Sequence, residues 1–254
     1  MVKKLKVVAI VQARLDSTRF PNKILKKINH KETVLDYIVE RISKSKKINK
    51  IIIATTKNKI DDKIEKHLKK KKILFFRGSE NDVLSRYYFC SKKFKVNIII
   101  RITSDCPLVD PKIIDKMIDT FLKKKLDYLT NTVPIKKPMW PDGSDIEIFS
   151  YKALEKAFRL CKNKFYREHV TFFFWKQKKN YFKIDQYKNK YNWSNFRYTL
   201  DYSEDLKVIR FIVNKLAKEK IFGYTNKIIN ILKQNPNIRK KNSKYFFGIG
   251  WEEK

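Results

Sequence analysis

The apolar run Val7-Val8-Ala9-Ile10-Val11 ends abruptly at Gln12-Ala13-Arg14. A β-branched stretch without polar alternation predicts a strand buried on both faces, as in parallel sheets. Similar runs at 51–53 and 98–100 predict two more central strands. Between the first two, Val34, Leu35, Ile38, Val39 and Ile42 recur at the i, i+3, i+4, i+7 spacing of a core-facing helix. A more polar helix is predicted over 60–68, a short strand over 73–76, and helices over 82–94 and 110–122. The last has Asp110 placed to cap and Pro111 in the first turn. This strand–helix alternation predicts a doubly wound α/β domain.

Past residue 127 the pattern changes. A strand at 127–132 leads into a loop containing Pro134, Pro138, Pro141 and Gly143, then an alternating strand at 146–149. Helices near 151–162 and 166–177 precede strands near 181–186 and 196–200. Amphipathic helices at 203–218 and 225–234 close the pattern, giving one expected domain over 1–234 and a polar, aromatic tail over 235–254. That tail fits either a disordered segment or one pinned by Phe246, Phe247 and Trp251.

Composition narrows the function classes. No apolar stretch reaches the roughly 18 residues needed to span a bilayer, and no small-residue cleavage site follows the first apolar run. Three cysteines without metal-type spacing fit reduced thiols in a cytoplasmic protein. The net charge of +34 would favour polyanions in general. However, its lysines are spread over helix faces and accompany abundant Ile, Asn, Phe and Tyr, all of which share AT-rich codons, so no specific nucleic-acid partner is expected.

The candidate chemistry collects where strands end. Arg14, Arg19 and Lys23, with Ser17 and Thr18 between them, follow the first strand; Thr55-Thr56, Ser104-Asp105 and Asp201 end others. In a parallel sheet these face one crevice. Guanidinium forks and an ammonium there suit phosphate oxygens.

The segment QAR-x-x-STR-x-P-x-K also resembles the N-terminal signature of the cytidylyltransferases that activate acidic sugars, the group of CMP-Kdo and CMP-sialic acid synthetases. The branch of spore-coat polysaccharide biosynthesis protein F is nearest. The resemblance continues in order through RGSENDVL (77–84), RITSDCPL (101–108), PDGSDIEIF (141–149), REHV (167–170) and TLD (199–201). It implies a mixed, mainly parallel Rossmann-like sheet of the nucleotide-diphospho-sugar transferase kind, with a smaller β-containing subregion for substrate or dimer contacts. It also implies Mg²⁺-dependent transfer of CMP from CTP to an acidic sugar, in an enzyme whose relatives are often homodimers.

By that resemblance Asp105 and Asp201 hold the metal, and Arg14 and Lys23 join them as the catalytic set. Gln12, Ala13, Arg14, Ser17, Arg19 and Lys23 would bind the nucleotide with Thr55, Arg77, Asp82 and Ser104. Asp142, Asp145, Glu147, Arg167 and His169 would bind the sugar. Simpler roles fit several of these. Asp82 and Asp201 fit helix caps, with Ser203 an alternative cap for the second helix; Arg86 fits a surface position, Glu147 a solvent-facing one, and His169 a structural histidine. Asn22 and Ser104 stand where related sequences usually carry glycine. A sugar-1-phosphate nucleotidylyltransferase or a glycosyltransferase shares the expected fold, although Asp105-Cys106-Pro107 lacks the second aspartate of a D-x-D motif. A polyanion-binding protein without enzymatic activity is the rival from another class.

Overall fold

The computed structural model describes residues 5–132, 139–176 and 181–245. In chain order the elements are β1 (Val7–Gln12), α1 (Val34–Ser43), β2 (Lys50–Thr56), α2 (Asp62–Lys70), β3 (Phe75–Gly78), α3 (Val83–Lys93), β4 (Ile98–Thr103) and α4 (Pro111–Lys124). Then come β5 (Tyr128–Thr130), β6 (Glu147–Ser150), α5 (Tyr151–Leu160), α6 (Lys164–His169), α7 (Phe172–Trp175), β7 (Ile184–Gln186), α8 (Ser203–Lys218), α9 (Thr225–Gln234) and α10 (Pro236–Arg239). The strands form one mixed sheet in the order β3-β2-β1-β4-β6-β5-β7. The first four in that order are parallel, and β6 runs antiparallel to its neighbours β4 and β5.

Helices cover both faces, which explains the unbroken apolar runs. Val7, Ala9 and Val11 join the core beneath α1, α4, α8 and α9, while Val8 and Ile10 join the opposite core beneath α3, α5 and α7. Alternate side chains of one strand therefore enter different hydrophobic layers. Strand order reverses direction of growth at the β1/β4 pair, which creates a crevice at the strands' C-terminal ends.

Two expected elements differ. The helix expected over 166–177 breaks into α6 and α7 at Val170, whose φ of 59° is one that a β-branched residue adopts only under tertiary constraint; residue 177 lies outside the described residues. The segment at 196–200 is extended but joins no ladder. It is held by an isolated bridge between Asp142 and Arg197, and by Leu200 N–H donating to the Asp105 carbonyl at 2.8 Å. Gly143 makes this docking possible: with φ at 101°, a Cβ there would lie 2.4 Å from Thr199 N.

Beyond α9 the chain packs back on the body as far as Tyr245. The Tyr245 ring lies parallel to Tyr202 at 3.7 Å between centroids. Phe246, Phe247 and Trp251, along with Pro134 and Pro138, lie outside the described residues.

Candidate active site

A cleft of about 1490 Å³ opens at the C-terminal ends of β1 and β4. One wall is the loop after β1. Leu15 is buried and its N–H donates to Asp61 Oδ1 at 2.8 Å, which anchors the loop to the start of α2. Asn22 adopts φ 57° and its N–H returns to the Leu15 carbonyl at 3.1 Å. Asparagine tolerates this left-handed conformation, so it serves here where related sequences carry glycine. The turn directs Lys23 inward, where it is buried and donates from Nζ to the Leu200 carbonyl at 2.6 Å.

Opposite the loop, two carboxylates meet. Lys23 Nζ lies 3.1 Å from Asp201 Oδ1 and 4.0 Å from Asp105 Oδ2, while Arg19 Nη2 reaches the same Asp201 oxygen at 3.0 Å. Burial works against the Asp201 charge, but Lys23, Arg19 and Arg197 together hold its pKa below the usual carboxylate range. Asp201 does not cap α8, and neither does Ser203. Asp205 accepts the N–H groups of Asp201 at 2.8 Å and Tyr202 at 2.9 Å.

Deeper in the cleft lie Asp142 and Asp145, both partly buried, and Glu147, which is buried rather than solvent-facing. Arg197 Nη1 donates to Asp142 at 2.5 Å. Asp145 accepts from Thr132 and from Gly143 N–H. Burial and then the Asp145 carboxylate push the Asp142 pKa well up, against the pull of Arg197. Glu147 is buried, paired with Arg101, and accepts from Tyr128 Oη at 2.5 Å. The strand alternation turns it inward because β6 lies inside the sheet, between β4 and β5.

The far wall is α6. Arg167 is fully engaged, donating to Asp82 Oδ2 at 2.6 and 2.9 Å and to the carbonyls of Phe158 and Cys161. Asp82 also caps α3 by accepting Ser85 N–H at 2.9 Å. His169 stacks on Phe172 at 4.7 Å, and burial lowers its pKa. Lys164 is exposed on this wall with no ion-pair partner among the described residues.

Gln12, Ala13, Ser17, Ser104 and the other expected site residues line the same cleft, with two exceptions. Thr55 is wholly buried beneath it. Arg77 turns away to the α2 side, where it pairs with Asp62 at 2.6 Å and Glu65 at 2.7 Å. Its place on the β3 side is taken by Arg86, one turn into α3. Arg86 is 2% exposed, and its Nε and Nη1 have no partner. Gly78 makes room for it, since a Cβ there would meet Arg86 Cγ at 2.9 Å. A surface role for Arg86 is thus excluded. Arg101, Arg197 and Asp205 also belong to the cleft's polar framework. Their only signal in the sequence is proximity to Asp105 and Asp201.

The donor set suits a hard cation. Among the described residues no group of three or more His, Cys, Asp or Glu side chains forms a ready ligand cage. Asp105 and Asp201 nonetheless supply two carboxylates on the cleft surface, and Mg²⁺ commonly takes one or two such ligands plus water and phosphate oxygens. The residues present therefore fit a divalent ion.

The chain belongs to the cytidylyltransferase family, whose model matches residues 8–236. It is a CTP-dependent nucleotidyltransferase. The spore coat polysaccharide biosynthesis protein SpsF of Bacillus subtilis is 31% identical over 242 residues, covering 91% of this chain and 95% of that protein. A solved cytidylyltransferase from Leptospira borgpetersenii serovar Hardjo-bovis is 36% identical with a TM-score of 0.85, covering 94% of this chain and 98% of its own. The structure of CMP:2-keto-3-deoxy-manno-octonic acid synthetase complexed with CTP shares the fold at 13% identity and a TM-score of 0.63, over 83% of this chain and 99% of its own.

Proposed function

We propose that this protein transfers CMP from CTP to a hydroxyl of an acidic sugar, with Mg²⁺, releasing pyrophosphate for surface polysaccharide biosynthesis in the cytoplasm. The observation that carries this reading is the Lys23 ammonium held within 4.0 Å of both Asp105 and Asp201, in a cleft where Arg14 and Arg86 have no anionic partner among the described residues. Such an arrangement suits a polyphosphate, with the partly exposed Asp105 carboxylate open to its metal beside Asp201, whose oxygens pair with Lys23, Arg19 and Arg197. The similarity to SpsF supports the surface-polysaccharide role, and unpaired Lys164 on the far wall suits an acidic acceptor. No described helix is long and apolar enough to cross a membrane.

In this reading the sugar oxygen forms a bond to the α-phosphorus as the bond to pyrophosphate breaks, and the hydroxyl proton leaves to solvent. Arg14 and Lys23 neutralise charge gathering on the β- and γ-phosphates. Asp105 and Asp201 hold the metal, which when bound would polarise phosphate oxygens and acidify the attacking hydroxyl. The sequence carries no Ser/His/Asp set or other covalent-nucleophile motif, and positioning and electrostatics suffice for such a displacement.

Thermal unfolding with CTP, UTP, ATP and GTP, each with and without Mg²⁺ at physiological salt, tests the nucleotide half. A ligand at 100 times its Kd adds about 2.7 kcal/mol. Stabilisation by CTP with Mg²⁺ alone supports the reading and leads to a screen of acidic sugars for pyrophosphate release. Preference for UTP would indicate a sugar-1-phosphate nucleotidylyltransferase or glycosyltransferase instead. Equal, salt-sensitive shifts with every nucleotide would mean that the net charge alone does the binding.

A further inference from the structure

The segment after α9 reaches the carboxylate site from behind. Asn242 is 2% exposed, and its Nδ2 donates to Asp205 Oδ1 at 2.8 Å. Asp205, in the first turn of α8, is completely buried and both its oxygens are engaged. Oδ1 also accepts from Arg197 Nε at 3.0 Å, and Oδ2 accepts from Arg197 Nη2 at 2.9 Å. The same Oδ2 takes the backbone N–H groups of Asp201 and Tyr202. One carboxylate thus fixes the backbone that carries Asp201 and the guanidinium that reaches Asp142. A second contact lies beside it, where Tyr245 stacks on cleft-lining Tyr202 and the Arg197 guanidinium is 5.5 Å from the Tyr245 ring centroid.

We infer that Asn242 is a positioning residue for the carboxylate site, holding Asp205 in the orientation that sets Asp201 and Arg197. A buried carboxylate with five hydrogen bonds to satisfy is sensitive to any one donor. Asn242 supplies the one that comes from outside the 197–205 stretch. The C-terminal segment is then part of the active site's framework, beyond its packing role. The inference rests on the proposed role of Asp201 at the nucleotide or its metal.

The test is the Mg²⁺ midpoint for CTP binding by calorimetry, measured well below the Tm of each variant. Asn242→Leu, which keeps volume but removes the donor, is expected to raise the midpoint fivefold or more. Lys241→Ala, an exposed neighbour, is expected to leave it unchanged. A lower Tm with an unchanged midpoint would show a merely structural role and overturn the inference. If Asn242→Leu does not fold, Tyr245→Ala decides: a raised midpoint supports a positioning segment, and an unchanged one overturns it. Wild-type protein that binds CTP without any Mg²⁺ dependence would overturn the functional reading and this inference together.

Discussion

The ammonium of Lys23 lies 3.1 Å from the carboxylate of Asp201, joining a loop near the N-terminus to the approach to α8. Its charge is therefore fixed in the cleft before any nucleotide arrives. Lys23→Ala is expected to weaken CTP binding tenfold or more, about 1.4 kcal/mol, as read by calorimetry. Lys23→Arg should not restore it, because a planar guanidinium does not fit where a buried point charge donates to the Leu200 carbonyl.

Asp105 separates backbone from side-chain roles. Its carbonyl accepts from Leu200 N–H and Thr199 Oγ1, whereas its carboxylate is partly exposed in the cleft and lies 4.0 Å from Lys23. Asp105→Asn should keep the structural contacts and lose turnover by about a hundredfold or more, about 2.7 kcal/mol. Pyrophosphate release and Tm, measured on one preparation, check this. An active, metal-dependent Asp105→Asn enzyme would remove Asp105 from the metal site.

Arg86 predicts opposite effects on stability and binding. Its guanidinium is buried with Nε and Nη1 unpartnered, and burial together with Arg14 pushes its pKa down. Removing an uncompensated buried charge should stabilise the free protein by about 1 kcal/mol. Arg86→Gln is expected to raise the Tm of the apo protein while weakening CTP tenfold. A variant that is destabilised and binds normally would make Arg86 a packing residue.

Glu147 neutralises Arg101 inside the sheet and accepts from Tyr128. Glu147→Ala leaves that guanidinium buried and unpaired, a change that costs about 3 kcal/mol or more in comparable settings. Urea unfolding should show the loss as a lower midpoint with an unchanged slope.

His169 gives a pH signature. Burial lowers its folded pKa below the ordinary histidine value of 6.5. Its contribution to stability is therefore complete above the unfolded pKa and lost as pH falls through the folded one. Imidazole resonances followed by NMR should place the His169 midpoint below 6.5, and His169→Phe should flatten the stability loss over that acidic range.

Much of this was legible in the chain. The runs at 7–11 and 98–100 announced doubly covered strands because β-branched residues without alternation have no solvent face, and β1 and β4 are those strands. Asp110 and Pro111 announced α4, and Asp110 does accept N–H groups from Lys112 and Ile113. Asn22 was legible as a tolerant substitute at a turn. By contrast, the apolar run Phe172-Phe173-Phe174 gave no sign that Val170 would break the helix before it, since a positive φ at a β-branched residue is no local preference.

Sequence alone determined the alternation of strands and helices, and it put the loop with Arg14, Arg19 and Lys23 after β1 and Asp105 after β4, because periodicity and strand ends are local properties. Only the tertiary structure decided that Arg77 leaves the cleft for Asp62 and Glu65 while Arg86 enters it unpaired. It alone decided that Glu147 is buried against Arg101, and that Asn242 closes on Asp205. A charged side chain's role depends on which partners lie within a few ångströms, and for these residues the partners come from other parts of the fold.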